Sequence, residues 1–312
     1  MNWSGVLGVV RLPVVVGPTA AGKSALVMAF AERHPVTIIS ADSRQLYAGF
    51  DIGTAKPSAA ERARVPHVGV DVADASERWN AARWADDAGR GIEAARAGSR
   101  LPIVVGGTGL YVRALFAPLF EEPPLDPGAR AALEAELETL PIESLRARVA
   151  VLDPARAHLG RTQLLRSIEV ATLTGTPLSS WHRDTARAPR YRPVYLVADR
   201  GASLGERIMR RVDAMFDAGW ADEVRALRDR VPPAAPAWNA TGYREVRDAS
   251  EGVRGLDAVR QEVIIRTRQY AKRQRTWFRH QLPAVEVTRV DLDTDEGREV
   301  AAGWWHQWQE ET

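Results

Sequence analysis

Cysteine is absent from the chain. That excludes disulfides and thiolate metal sites and leaves the compartment open. Lysine is nearly absent as well, with 3 residues against 39 arginines. No apolar run approaches the ~18 residues of a membrane span, so no membrane association is expected. The first 16 residues lack a basic n-region and carry Arg11, so no signal peptide is read and the cytoplasm is the expected location. Net charge is only +2, too little for the surface as a whole to announce nucleic acid. No internal repeat is visible.

What is present is ordinary for a globular chain: 45% hydrophobic and 26% charged residues over 312 positions, enough for one large domain or two. The unusual feature is where the three lysines stand: Lys23, Lys56 and Lys272. Where geometry is indifferent, arginine has been preferred. A lysine in a tight phosphate pocket is a compact point charge that arginine cannot mimic. For Lys56 and Lys272, retention by chance is an equally good reading of the sequence.

The chain is organised around residues 12–24, LPVVVGPTAAGKS. An apolar run ends in Gly17-Pro18-Thr19-Ala20-Ala21-Gly22-Lys23-Ser24, which fits a phosphate loop between a strand and a helix that begins near Lys23. The glycines let backbone N–H groups curl around an anion, and the helix adds its positive end. Lys23 can reach terminal phosphate oxygens, and the Ser24 hydroxyl suits Mg²⁺. The plain alternative is a glycine turn, and the motif alone does not say whether a nucleotide supplies the phosphate.

Further along, a helix is expected over 25–33, a buried strand over 36–40, a short strand over 66–71 ending in Asp71, a helix over 81–97 and a strand over 102–105. Strand, helix and strand in sequence imply a right-handed parallel crossover, with ligands at the carboxyl ends of the strands. Asp42 falls at that edge, as a Mg²⁺ ligand, a general base or a helix N-cap. Gly106-Gly107-Thr108-Gly109 makes a second glycine turn there, whose donors and Thr108 hydroxyl could face a ligand.

Composition changes at Pro118; EEPPLDP (121–127) reads as a linker and 128–180 as helices over 129–139, 142–151 and 162–174. The sheet resumes at 194–197. The fold class is therefore α/β, a parallel sheet core formed by 1–119 and 191–312, interrupted by a helical insertion at 120–190. A helix over 204–218 carries Arg207 and Arg211 on one face, either solvated or aimed at the phosphate edge. In a long helix over 261–280, Arg268, Lys272, Arg275 and Arg279 form one stripe interleaved with Tyr270, Trp277 and Phe278. Such a stripe suits RNA, or is a solvated face with core aromatics. The Trp304, Trp305 and Trp308 stripe reads as packing.

Seven strings in order resemble the tRNA dimethylallyltransferase (tRNA isopentenyltransferase) family: GPTAAGKS, ISADSRQLY, DIGTAKP, VGGTGLYVRAL, RIMRRV, GYRE and TRQYAKRQRTWFR. They span roughly residues 12–280. The resemblance implies a P-loop core with a helical insertion, a Mg²⁺ requirement, and transfer of the dimethylallyl group of dimethylallyl diphosphate to N6 of adenine 37, beside the anticodon, in tRNAs reading codons that begin with U. It implies Asp42 as general base, with Ser43, Arg44 and Gln45 continuing the base-recognition segment. Thr108 would lie near the bridging diphosphate oxygen and Arg211 would hold the diphosphate. Arg244, Lys272, Arg273 and Arg279 fall in segments that contact tRNA, and the protein is expected to be a monomer. The insertion departs from the family pattern: in Gly160-Arg161-Thr162-Gln163-Leu164-Leu165-Arg166, Arg166 aligns but the other arginine does not, leaving open whether Arg161 or Gln163 stands in for it in gripping tRNA. A small-molecule kinase shares the phosphate loop and Asp42 but gives no reason for the basic helix.

Overall fold

The computed structural model describes residues 9–117, 123, 125–184, 190–282 and 286–308. Six strands form one parallel sheet: β1 (Val10–Val16), β2 (Val36–Ala41), β3 (His67–Val68), β4 (Leu101–Gly106), β5 (Tyr191–Asp199) and β6 (Val287–Asp291). Their order is β3-β2-β4-β1-β5-β6, so β1 is central. β-branched runs make these strands, and the alternation of side chains sends them to two different cores. Val14, Val16, Ile39, Ala41, Val104 and Val197 join one apolar cluster; Val15, Ile38, Ile103, Val105 and Leu196 join another. Trp304, Trp305 and Trp308 belong to the second cluster, where Trp305 stacks on Phe30. That stripe is packing.

The first half of the chain adds helices α1 (Lys23–Ala31), α2 (Ala59–Arg64), α3 (Ala81–Ala97) and α4 (Gly109–Phe116). Then come α5 (Pro127–Glu138), α6 (Ile142–Leu152), α7 (Arg161–Thr174) and α8 (Leu178–Asp184). The rest are α9 (Leu204–Asp217), α10 (Trp220–Arg228), α11 (Tyr243–Ser250), α12 (Leu256–His280) and α13 (Asp295–His306).

Register decides where the site lies. Val16 pairs with Gly106 and with Val197, and Ala41 pairs with Gly106. Three strands therefore end level, so that Gly17, Asp42 and Gly107 leave the sheet side by side, while β5 runs two residues further to Asp199. Pro102 and Pro193 sit toward the opposite ends of their strands and Pro13 at the middle of β1, so the missing N–H groups do not fall at this edge. Gly17 has φ of 147°, and a Cβ there would stand 2.0 Å from the Ala198 carbonyl oxygen, so only glycine lets β1 turn here.

Two compact units emerge from the internal packing: Met1–Phe116 with Arg190–Thr312, and Ala117–Pro189. The anticipated boundary at 119/120 lies outside the described residues, as do 121, 122 and 124 of the anticipated linker and 185–189 of the stretch before β5. Within the second unit, Leu133, Leu137, Leu145, Val149, Leu164 and Ile168 form a core of their own.

Two expectations are corrected. The short strand at 66–71 is only His67–Val68, because Gly69 (φ 80°) and Asp71 (φ 54°) turn the backbone left-handed after two paired residues. The helix after the phosphate loop spans Lys23–Ala31, starting two residues earlier than 25–33 and ending two earlier. Gly22, left-handed at φ 90°, is its N-terminal neighbour.

Candidate active site

The phosphate loop is held largely through its carbonyls, while two of its N–H groups are engaged as well, Thr19 with Gln274 Oε1 and Ala21 with Pro18 O. Lys23 Nζ donates to Pro18 O at 2.8 Å, Arg207 Nε to Ala20 O at 3.2 Å and Arg200 Nε to Ala21 O at 3.0 Å. Ala20 is left-handed at φ 63° without being glycine, a strain that surrounding bonds must hold. Arg207 is thus a brace of the loop.

Arg211, one turn further along α9, faces the site. Burial lowers its guanidinium from the usual range, and Asp42 opposes that shift. Burial also lowers Lys23, to about 8, helped by the Arg211 charge and resisted by Asp42 and Asp199. The cavity they border is lined by Lys23, Arg44, Arg207, Arg210, Arg211 and Arg273 against Asp42 and Glu61, an excess of cations that suits a polyanion.

Across from them, Asp42 Oδ1 accepts the Arg44 and Gln45 backbone N–H groups at 2.8 and 3.4 Å. This Asx turn fixes the carboxylate and leaves its second oxygen to take a proton. Thr108 Oγ1 accepts the Ser43 N–H at 3.0 Å, joining the glycine turn after β4 to the aspartate segment after β2. Gln45 is committed to its own loop: its amide nitrogen donates to Thr54 O and Ala55 O, and its amide oxygen accepts from Ser40 Oγ.

Helix α12 roofs the site, and sequence reasoning missed how. Gln274 Oε1 accepts the Thr19 N–H at 2.8 Å, while its Nε2 donates to Gly107 O at 2.9 Å. One buried amide therefore clamps the phosphate loop to the second glycine turn. Tyr270 touches Thr108, and burial reinforced by Asp42 pushes its hydroxyl up to about 12. Trp277 lies so close to Gly109 that a Cβ there would meet its ring at 2.3 Å. A Gln at a polar position of a basic helix carries no local signal; only the string TRQYAKRQRTWFR marked its neighbourhood.

These groups border one cavity of about 980 Å³. Among its walls are Thr19, Ala20, Gly22, Lys23, Ser24, Asp42, Ser43, Arg44, Gln45, Thr108, Arg211 and Arg273. Lys272, Arg279 and Arg244 are exposed; Arg244 bonds Asn239, itself a cavity residue, and Arg279 borders a smaller cavity with Pro18 and Asp199. The basic stripe is not one free face: Arg275 grips Asp199 with Nε and Nη2 at 2.6–3.1 Å, and Arg268 donates to Gly205 O at 3.3 Å.

In the second unit, Arg161 donates to the carbonyls of Leu137, Glu138 and Leu140, capping the C-terminal end of α5. Its guanidinium is spent on that helix. Gln163 is exposed and accepts the Gly160 N–H at 3.2 Å; Arg166 pairs with the buried Glu169 at 2.6 Å.

Gln274→Met keeps the length of the side chain and removes both bonds. Leaving the Thr19 N–H and Gly107 C=O unpaired is expected to weaken inorganic pyrophosphate binding by about 1–3 kcal/mol, or about 5- to 150-fold. Calorimetric titration checks this, and wild-type affinity would remove the clamp from the cradle.

A phosphate loop, two cations and a carboxylate around one cavity at the carboxyl edge of a parallel sheet define a P-loop α/β protein built for chemistry beside a phosphate chain. Comparison with known families narrows the class. The IPP transferase model matches residues 45–281 and the isopentenyl transferase model residues 10–70. The chain belongs to the IPP transferase family. It is 42% identical over 276 residues to a tRNA dimethylallyltransferase of Bordetella petrii, with 85% of this chain and 88% of that one covered. Against the enzyme of the same name in Thermus thermophilus the identity is 42% over 273 residues, covering 86% and 90%. The solved full-length tRNA isopentenylpyrophosphate transferase of Bacillus halodurans superposes with a TM-score of 0.65 at 34% identity, covering 96% of this chain and 97% of that one. A eukaryotic dimethylallyltransferase, described as acting on tRNA, shares the fold at a TM-score of 0.79 and 24% identity, covering 96% and 79%.

Proposed function

We propose that this chain transfers the dimethylallyl group from dimethylallyl diphosphate to N6 of adenine 37, next to the anticodon, in tRNAs reading codons that begin with U. The products are N6-dimethylallyladenosine and diphosphate. The observation that carries the reading is the single cavity with Lys23 and Arg211 on one side and the Asp42 carboxylate on the other.

In the step itself, the N6 nitrogen forms a bond to C1 of the allylic group as the C1–O bond breaks. The electron pair leaves with the diphosphate, and the amine proton goes to Asp42. An adenine N6 lone pair is delocalised into the ring, so a carboxylate that accepts its proton helps, typically by about 10²–10⁴-fold. Charge growing on the diphosphate falls among Lys23, Arg211, the loop N–H groups and the Thr108 hydroxyl. Adenine leaves its stack at a cost of a few kcal/mol, least in a single-stranded loop, which is why an anticodon stem-loop suits this site.

Ser24, exposed in the first turn of α1 and bordering the cavity, has a hydroxyl that would help hold Mg²⁺. Bound there, the ion neutralises the leaving group. The described residues include no group of three or more His, Cys, Asp or Glu able to hold a metal. Arg244, Lys272, Arg273 and Arg279 supply RNA contacts from the first unit, and Gln163 and Arg166 from the helical insertion. A monomer acting on tRNA in the cytoplasm is part of this reading. None of the described helices is long and apolar enough to cross a membrane.

The test is incubation with unmodified tRNA and dimethylallyl diphosphate, in parallel with ATP and small-molecule acceptors, followed by mass spectrometry of the tRNA nucleosides. Dimethylallyladenosine is the expected product. Phosphoryl transfer to a small molecule with unmodified tRNA would overturn the reading in favour of a kinase.

A further inference from the structure

Lys56 is one of only three lysines, and its side chain is 2% exposed. A buried ammonium is costly unless each of its three N–H groups finds an acceptor. Here all three do. Nζ donates to Tyr47 O at 2.6 Å, Asp51 Oδ1 at 2.6 Å and Asp71 Oδ1 at 2.5 Å. Arg62 Nη1 donates to the second carboxylate oxygen of Asp71, Oδ2, at 2.6 Å.

The three anchored points belong to three pieces of chain that border Asp42. Tyr47 ends the segment that starts at Asp42. Asp51 opens the loop 51–56. Asp71 donates its backbone N–H to Gln45 O at 3.2 Å, and Gln45 in turn holds Thr54 O and Ala55 O. The same loop is caught on its far side. Glu223 Oε2 accepts the Asp51 and Ile52 N–H groups at 3.0 and 2.7 Å, and the Tyr243 hydroxyl oxygen accepts the Gly53 N–H at 3.1 Å. Gly53 lies against Trp220, where a Cβ would be 2.2 Å from the ring. Two non-glycine residues, Ala55 (φ 46°) and Asp71 (φ 54°), are held left-handed. What this network positions is a wall: Gly53, Thr54, Ala55 and Gln45 line the cavity beside Asp42.

We propose that Lys56 is a positioning residue for the acceptor side of the site, its compact ammonium fixing the 53–55 wall and Gln45 so that the entering adenine meets Asp42. This rests on the functional reading above. It also accounts for the retained lysine: a planar guanidinium with five donors does not fit a junction of three oxygens set for a point charge. The diphosphate cradle draws on none of these bonds.

Lys56→Arg and Asp51→Asn test it, the latter because the Asp51 side chain is 57% exposed and can change without disturbing the fold. Both are measured with the full-length protein, alongside thermal melts. Misplacing the wall is expected to lower kcat/KM for tRNA by about 10²-fold in Lys56→Arg and less in Asp51→Asn, with inorganic pyrophosphate affinity held within about twofold. The RNA side is also read without turnover, from the fluorescence of 2-aminopurine placed at position 37 of an anticodon stem-loop; the rise on unstacking is expected to shrink in both variants. Equal losses for pyrophosphate and RNA would make Lys56 a general stabiliser, and unchanged values would remove it from the site. Either result overturns the proposal. A wild type that binds the stem-loop but forms no product would instead overturn the functional reading, leaving the titrations to judge Lys56.

Discussion

Asp42→Asn is expected to fold, to bind tRNA and to lose about 10²–10⁴-fold in kcat. The substitution keeps the Oδ1 acceptor that the Arg44 and Gln45 N–H groups use, so the Asx turn survives. It replaces the second oxygen, the one available for a proton, with an NH₂ that can only donate. Shape is thus held while basicity is removed. Single-turnover prenylation with saturating tRNA reads the chemical step directly. Retention of more than about half the wild-type rate, where general-base help is worth about 10²-fold or more, would contradict the base assignment.

Lys23→Ala has the next largest effect. In the proposed reaction its ammonium would sit where charge appears on the departing diphosphate, and losing one such donor typically costs about 2.7–4 kcal/mol, or about 10²–10³ in kcat. The Arg200, Arg207 and Gln274 partners of the loop remain, so tRNA affinity is expected to stay near wild type. Unaltered turnover would take Lys23 out of the mechanism. The same residue sets a pH dependence. Burial first, and Arg211 second, lower it from 10.5 to about 8. Below that value it carries the charge that diphosphate needs; above it the charge is lost, so kcat/KM for dimethylallyl diphosphate is expected to fall as pH rises through about 8. Stability of the ligand-free protein runs the other way. Between about 8 and 10.5 the unfolded chain binds this proton and the folded one does not, so the Lys23 contribution to stability rises with pH across that window. Kinetics and urea melts over the same pH range distinguish the two slopes.

Much of the site could be read before any coordinates. An apolar run followed by GPTAAGKS has one sensible physical form, because the glycines, the lysine and the hydroxyl are contiguous and act locally. The same holds for Asp42 at the end of an apolar β-branched run, and for helix α3, expected over 81–97 and found at Ala81–Ala97. Arg207 and Arg211 could be paired by spacing. That both border the cavity while Arg207 alone also braces the Ala20 carbonyl could not. The basic stripe on α12 was legible as a stripe, yet Arg275 is committed to Asp199, 76 positions away in the chain.

Composition and local pattern by themselves determined a phosphate loop on a parallel sheet, the aspartate at its edge and the family to which they belong. Such features depend on neighbours within a few residues, where backbone geometry is dictated by residue type. Only the tertiary structure decided that Gln274 clamps Thr19 across 255 residues, that Lys56 is a buried junction and that Arg161 caps a helix. Each of those roles is set by which distant oxygens and N–H groups strand register and helix packing bring within about 3 Å, the reach of a hydrogen bond, and no spacing in the chain encodes that distance.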